Sequence, residues 1–297
     1  MGIAFQLSGH EKDLGGGFVV RRVLPAARQR SVGPFIFFDH FGPVNELPGA
    51  NHDVRPHPHI GLATVTYLFE GAMMHRDSLG TQQRIEPGAI NWMTSGRGIV
   101  HSERRPDDLR DVAYTNHGLQ LWTALPLAME EAEPSFQHTP AADIPQVNAG
   151  DARVRVLVGE AFGERSPVRA LSRTLYLDVV LPAGGVLELP ATEEQMAVYV
   201  VEGSVVVDGQ ELAARVMAVT DAATSTITSH TGGRFVVIGG DALDAPRHMW
   251  WNFVSSRTDR ILQASADWQA QRMGRVAGED EFIPLPPTPY TPPEPMS

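Results

Sequence analysis

Short apolar runs broken by turn residues dominate the chain between residues 15 and 240. GFVVRRVLP, FIFFDHFGP, ATVTYLFEG, GAINWMTSG, HGLQLWTAL, RVRVLVGEA, TLYLDVVLP, AVYVVEG, VMAVT and RFVVIGG are each rich in β-branched or aromatic residues and bounded by Gly, Pro, Asn or Asp. Many such runs in series predict an all-β sandwich or barrel. A 3.6-residue period is clear only in SSRTDRILQASADWQAQR. It predicts a terminal helix with Ser256 as N-cap and with Ile261, Leu262, Ser265 and Trp268 on one face. The ending PLPPTPYTPPEPMS is Pro-rich and should be an extended or mobile arm, one that can lie on the protein's own surface.

One internal echo organises these strands. Tyr67-Leu-Phe-Glu-Gly71 recurs as Tyr199-Val-Val-Glu-Gly203, each after apolar β-rich residues. Two related barrels in tandem follow, with 126–150, polar and Pro-containing, as the connection. The expected division is 1–135 for an N-terminal barrel and 136–297 for a C-terminal one with the helix and arm.

Composition narrows the partners. The 297 residues carry a formal charge of −11, which repels a phosphate backbone, so direct nucleic-acid binding is not expected. Cysteine is absent, which excludes disulfides, thiolate catalysis and Cys-based zinc or iron–sulfur sites. No secretory signal and no run of 18 apolar residues is visible, so the expectation is a cytoplasmic protein with no membrane contact.

The chemistry concentrates in two short motifs. In Arg55-Pro56-His57-Pro58-His59 the two histidines stand at i and i+2, on one face of a strand. His101 and Glu103 repeat that spacing 42 residues later. If both strands face one interior, three imidazoles and a carboxylate converge as a transition-metal site. Fe(II), Mn, Ni, Cu and Zn all accept such donors, and an octahedral ion would keep two positions open. Other conspicuous residues have plainer expected roles: His40 ordering a turn, His75 near Asp77 capping a hairpin or lining the pocket, His117 and Trp122 as wall, Trp92 and Met93 as core. Trp250-Trp251-Asn252-Phe253 reads as a packing plug.

The run Asp39-His40-Phe41-Gly42-Pro43, His57-Pro58-His59-Ile60-Gly61 and Thr64-Val65-Thr66-Tyr67-Leu68 resembles the pirin family of the cupin superfamily. So do Asp77-Ser78-Leu79-Gly80, Pro87-Gly88 and Asn91-Trp92-Met93-Thr94-Ser95-Gly96-Arg97-Gly98-Ile99-Val100-His101-Ser102-Glu103, in order, across residues 35–125. The resemblance implies two cupin barrels packed face to face. It implies one metal, most often iron, held by His57, His59, His101 and Glu103. Some pirins open the flavonol ring of quercetin with dioxygen, which implies a small aromatic substrate and Glu103 as catalytic base as well as ligand. Others are regulatory proteins that bind a protein partner, and a sugar or small-acid isomerase on the same scaffold is a third reading. The sequence departs from the family where Ile60-Gly61-Leu62-Ala63 replaces Arg-Gly-Phe-Glu, so the acidic neighbour expected beside the site is missing at Ala63. Counting back from Tyr199 puts Leu189 and Ala191 where His57 and His59 precede Tyr67. The second barrel is therefore expected to hold no metal and to shape a lid over the first.

Overall fold

A computed structural model describes residues 2–14, 17–221 and 225–292. The strands form two antiparallel barrels packed face to face. Each of the ten apolar runs becomes a strand, from Val19–Leu24 to Gly233–Gly240. In the first barrel a seven-stranded sheet runs in the order Ser135–Thr139, Ile90–Thr94, Leu62–Glu70, Tyr114–Ala124, Phe35–Glu46, Val19–Leu24, His10–Asp13. Opposite it lies a four-stranded sheet: Val54–His59, Ile99–Arg104, Met73–Asp77, Gln82–Ile85. Long strands such as Tyr114–Ala124 and Gln195–Val207 form the two centres.

The barrels meet through an apolar layer. Phe38, Val65, Tyr67, Trp92 and Leu121 from the first pack with Tyr176, Ala197, Tyr199, Val236 and Ile238 from the second. The repeated tyrosines cross this layer in opposite directions. Tyr67 Oη donates to Asp178 Oδ2 at 2.6 Å, and Tyr199 Oη lies 2.7 Å from His40 Nδ1. Both rings are fully buried, so each hydroxyl needs such a partner. His40 therefore belongs to the inter-barrel contact rather than to a turn, and its Nε2 lies 2.7 Å from His117 Nε2.

Both ends of the chain cross over. Ile3–Leu7 pairs with Met217–Thr220 at the edge of the second barrel's sheet. Segment 248–292 returns to the first barrel, where Phe253, Ile261, Ala264, Trp268 and Val276 pack on Ile60 and Val100. Each barrel thus borrows a segment from the far half of the sequence. The 126–150 connection is also more ordered than its composition implies. Ser135–Thr139 pairs with Ile90–Thr94, and Gln146–Ala149 with Ala152–Val158.

The helix spans Thr258–Gln269, and two expectations about it are corrected. Ser256 is not its cap: Arg257 holds that position with no side-chain cap, while the Ser256 hydroxyl and N–H both donate to Glu130. The buried Glu130 carboxylate, facing Arg247, outcompetes the helix end for that hydroxyl. The buried face is Ile261, Ala264 and Trp268, whereas Leu262 is 45% exposed. The arm lies on the first barrel as far as described: Ile283 N donates to Pro56 O at 2.8 Å, and Tyr290 packs near Trp250. Residues 293–297 of the Pro-rich ending lie outside the described residues. No described helix is long and apolar enough to cross a membrane.

Candidate metal centre

The pairing of Val54–His59 with Ile99–Arg104 builds the site. In this ladder His101 stands directly across from His57, and Ile99 across from His59. The i, i+2 rule puts His57 and His59 on one face, and the cross-strand register adds His101 to it. Ring centroids lie 4.4 Å apart for His57 and His101, and 5.0 Å for His59 with either. One nitrogen from each ring falls within 4.8 Å of the other two. No other group of three His, Cys, Asp or Glu with such spacing occurs among the described residues.

All three imidazoles are neutral at pH 7. Burial pushes His57 down to about 4 despite a hydrogen bond to Arg55 O. Burial, then the neighbouring rings, holds His59 and His101 well below the ordinary histidine range. Neutral imidazoles carry the lone pairs a cation needs. One of the ring nitrogens, His101 Nε2, is buried with no hydrogen-bond partner. An unpartnered buried polar atom costs about 1–3 kcal/mol. Such an atom inside the triad fits a site whose partner is a metal ion.

Glu103 sits apart from this close group but lines the same cavity. The ladder slips by one residue between His101 and Glu103, so that Glu103 stands across from Val54 rather than Arg55. That bulge re-aims the side chain. Burial alone pushes its carboxyl up to about 7.

The cavity measures about 900 Å³ and has an aromatic wall beside the histidines. Trp122 meets His59 edge-on at 5.1 Å and stacks on Phe37 at 4.0 Å, and the Arg22 guanidinium lies over Phe37 at 4.3 Å. The returning C-terminal segment completes the enclosure with Met249, Trp251, Asn252, Glu281 and Ile283. Trp251 and Asn252 are therefore cavity wall as well as packing. No described strand of the second barrel lines the cavity, where a lid from that barrel was expected; this segment forms the wall there. His117 is not cavity wall: it faces His40 and, at 3.7 Å, Glu202.

Ala63 does not lie beside the histidines. Its side chain joins the inter-barrel core with Val65 and Tyr67, because alternate residues of its strand face that way. The exchange at 63 thus bears on barrel packing. In the second barrel, Leu189 is part of an apolar interior and Ala191 is exposed, so no histidine pair is offered there.

The residues that sequence reasoning underrated are His75 and Asp77. His75 Nδ1 lies 3.3 Å from His101 Nδ1, and its Nε2 lies 2.9 Å from Asp77 Oδ2. Their i, i+2 spacing beside the His101 strand was the available signal.

Two cupin barrels, one lined by a tight histidine cluster and the other filled with apolar side chains, define a bicupin with a single candidate metal centre among the described residues. Residues 17–123 match the family described as Pirin, and residues 176–274 match the Pirin C-terminal cupin domain. The chain belongs to the pirin family. It is 46% identical over 281 residues to a pirin-like protein of Caulobacter vibrioides, covering 93% of this chain and 96% of that one. It is 30% identical to human Pirin, covering 92% and 93%. The crystal structure of a quercetin 2,3-dioxygenase from Acinetobacter baumannii superposes with a TM-score of 0.89 at 34% identity, covering 97% and 96%.

Proposed function

We propose that the chain is a metal-dependent dioxygenase that opens a flavonol-like ring with dioxygen. The observation that carries this reading is the triad of neutral imidazoles, with the buried His101 Nε2 unpartnered, lining an aromatic-walled cavity. The Acinetobacter neighbour, described as a quercetin 2,3-dioxygenase, supports the substrate class. His57, His59 and His101 would hold the ion, with Glu103 as a fourth ligand able to move in from the cavity side. Iron(II) is the assignment the family precedent favours. When bound, the ion supplies Lewis-acid activation of a substrate hydroxyl and a place for dioxygen.

The chain's own residues do the rest. Trp122, backed by the stacked Phe37 ring, gives the cavity an apolar aromatic wall for a planar aromatic, and Trp251 adds to that wall from the returning segment. Enclosure by Met249 and Ile283 limits water at the reacting end. Glu103 accepts the substrate hydroxyl proton. A carboxyl pushed to about 7 by burial is a better proton acceptor than an exposed one. A nearby cation would lower that value, so proton uptake goes with movement of the carboxylate away from the ion.

The test is aerobic incubation of iron-loaded protein with quercetin, following dioxygen uptake and loss of flavonol absorbance. Turnover above a metal-free control is the expected result. Equal rates in both would overturn the assignment.

A further inference from the structure

The geometry points to His75 and Asp77 as a positioning pair that fixes which nitrogen of His101 carries its proton. This inference rests on the metal-binding reading above. It concerns the hydrogen-bond chain behind the site rather than the ligands themselves.

The chain of constraints starts at Asp77. Its Oδ1 already accepts two backbone N–H groups, Leu79 at 2.9 Å and Thr81 at 3.0 Å, so the carboxylate cannot rotate freely. The other oxygen, Oδ2, lies 2.9 Å from His75 Nε2. A carboxylate only accepts, so His75 carries its proton on Nε2 and presents a lone pair at Nδ1. That lone pair lies 3.3 Å from His101 Nδ1. His101 must then carry its proton on Nδ1, leaving Nε2 bare. His101 Nε2 is the buried, unpartnered atom of the triad. The proton order Asp77 to His75 to His101 thus turns a lone pair toward the space the three ligand nitrogens share.

The pair is held rigidly enough to do this. The His75 ring stacks on Phe136 at 4.3 Å and 18°. Ser78, next to Asp77, is tied to Val100, next to His101, through both its N–H and its hydroxyl. Met73–Asp77 and Ile99–Arg104 are paired strands, with Asp77 across from His101. His75 and Asp77 do not line the cavity; they act through His101.

The sharpest variant is Asp77→Asn. The Leu79 and Thr81 N–H groups demand an acceptor at the Oδ1 position, so the amide oxygen stays there and the NH₂ group faces His75. It donates where the carboxylate accepted. The His75 proton moves to Nδ1, and the His101 proton is driven to Nε2, where it blocks ligation. His75→Phe, which keeps the stack on Phe136, only frees the His101 tautomer.

Two measurements test this on the full chain. Nitrogen-15 NMR of histidine-labelled, metal-free protein reads the tautomers directly. The wild type should show the His101 proton on Nδ1, and Asp77→Asn should show it on Nε2. Cobalt(II) titration should then show binding weakened by about 100-fold in Asp77→Asn and about tenfold in His75→Phe. Thermal melts of the metal-free proteins establish that both variants are folded. A wild-type His101 protonated on Nε2, or cobalt binding within twofold of wild type in folded Asp77→Asn, overturns the assignment. If wild-type protein binds no metal, the functional reading fails, while the NMR result still decides the proton order.

Discussion

Gly61 shows how tightly the histidine motif is built into the fold. Its φ is +70°, and a Cβ there would stand 2.0 Å from Val254 O. The turn after His59 must pass against the strand Phe253–Ser255, where Val254 N donates to Ile60 O. Only glycine satisfies both the backbone and the space. Gly61→Ala should lower stability by roughly 2 kcal/mol or more. Chemical denaturation of the metal-free protein checks it, and a change under about 0.5 kcal/mol, the range of ordinary surface substitutions, would show the turn to be soft. The His57, His59 and His101 cluster was legible in the sequence because strand periodicity is a strict rule. The separation of Glu103 was not, because a one-residue slip in a ladder leaves no mark on the i, i+2 pattern.

At the scale of elements, the ten apolar runs announced themselves because each buries at least one face. The edge strand His10–Asp13 did not, because all four of its residues are exposed. Ser135–Thr139 was hidden in a polar stretch for a similar reason: four of its five residues are only partly buried or exposed. The C-terminal helix was readable from its period, but its exact face was not, since Leu262 and Ala264 exchange roles once the partner surface is known. That helix anchors the arm that walls the cavity. Trp268 is nearly fully buried, and its Nε1 donates to Ile283 O at 3.0 Å. Glu279 takes the Ser102 hydroxyl and the Arg104 guanidinium, both on the His101 strand. Trp268→Ala should therefore release the arm by local opening, at a cost of about 3–5 kcal/mol to the docking of that segment, and leave the inter-barrel core in place. Hydrogen exchange should show residues 279–285 losing protection while the inter-barrel strands keep theirs; uniform loss would contradict the arm's dependence on this anchor.

The whole molecule depends on a polar thread through its apolar middle. Burial, then His117, Arg215 and Arg21, pushes His40 down to about 3; burial, then Arg234 and Arg215, pushes His117 down to about 4. Both values are below the ordinary histidine value of about 6.5. The unfolded chain therefore takes up protons near pH 6.5 that the folded chain refuses. Stability contributed by these neutral rings is complete above that pH and is lost as pH falls toward 4. In the metal-free protein, His40→Gln should make that fall shallower by one proton, about 1.4 kcal/mol per pH unit between pH 6 and 4.5. Denaturation midpoints across that range check it, and a slope equal to wild type would remove His40 from the account. The tandem barrels were readable from the Tyr67 and Tyr199 echo, but the crossing of both termini was not, since local patterns say nothing about which sheet a strand joins.

The proposed centre is a single metal ion held by His57, His59 and His101, with Glu103 as fourth ligand, in the first barrel. The most direct measurement is metal stoichiometry after iron(II) loading and desalting, on the wild type and on folded His101→Ala. One ion per chain is expected in the wild type and none retained in the variant. A wild-type chain without metal, or a variant that keeps a full equivalent, would contradict it.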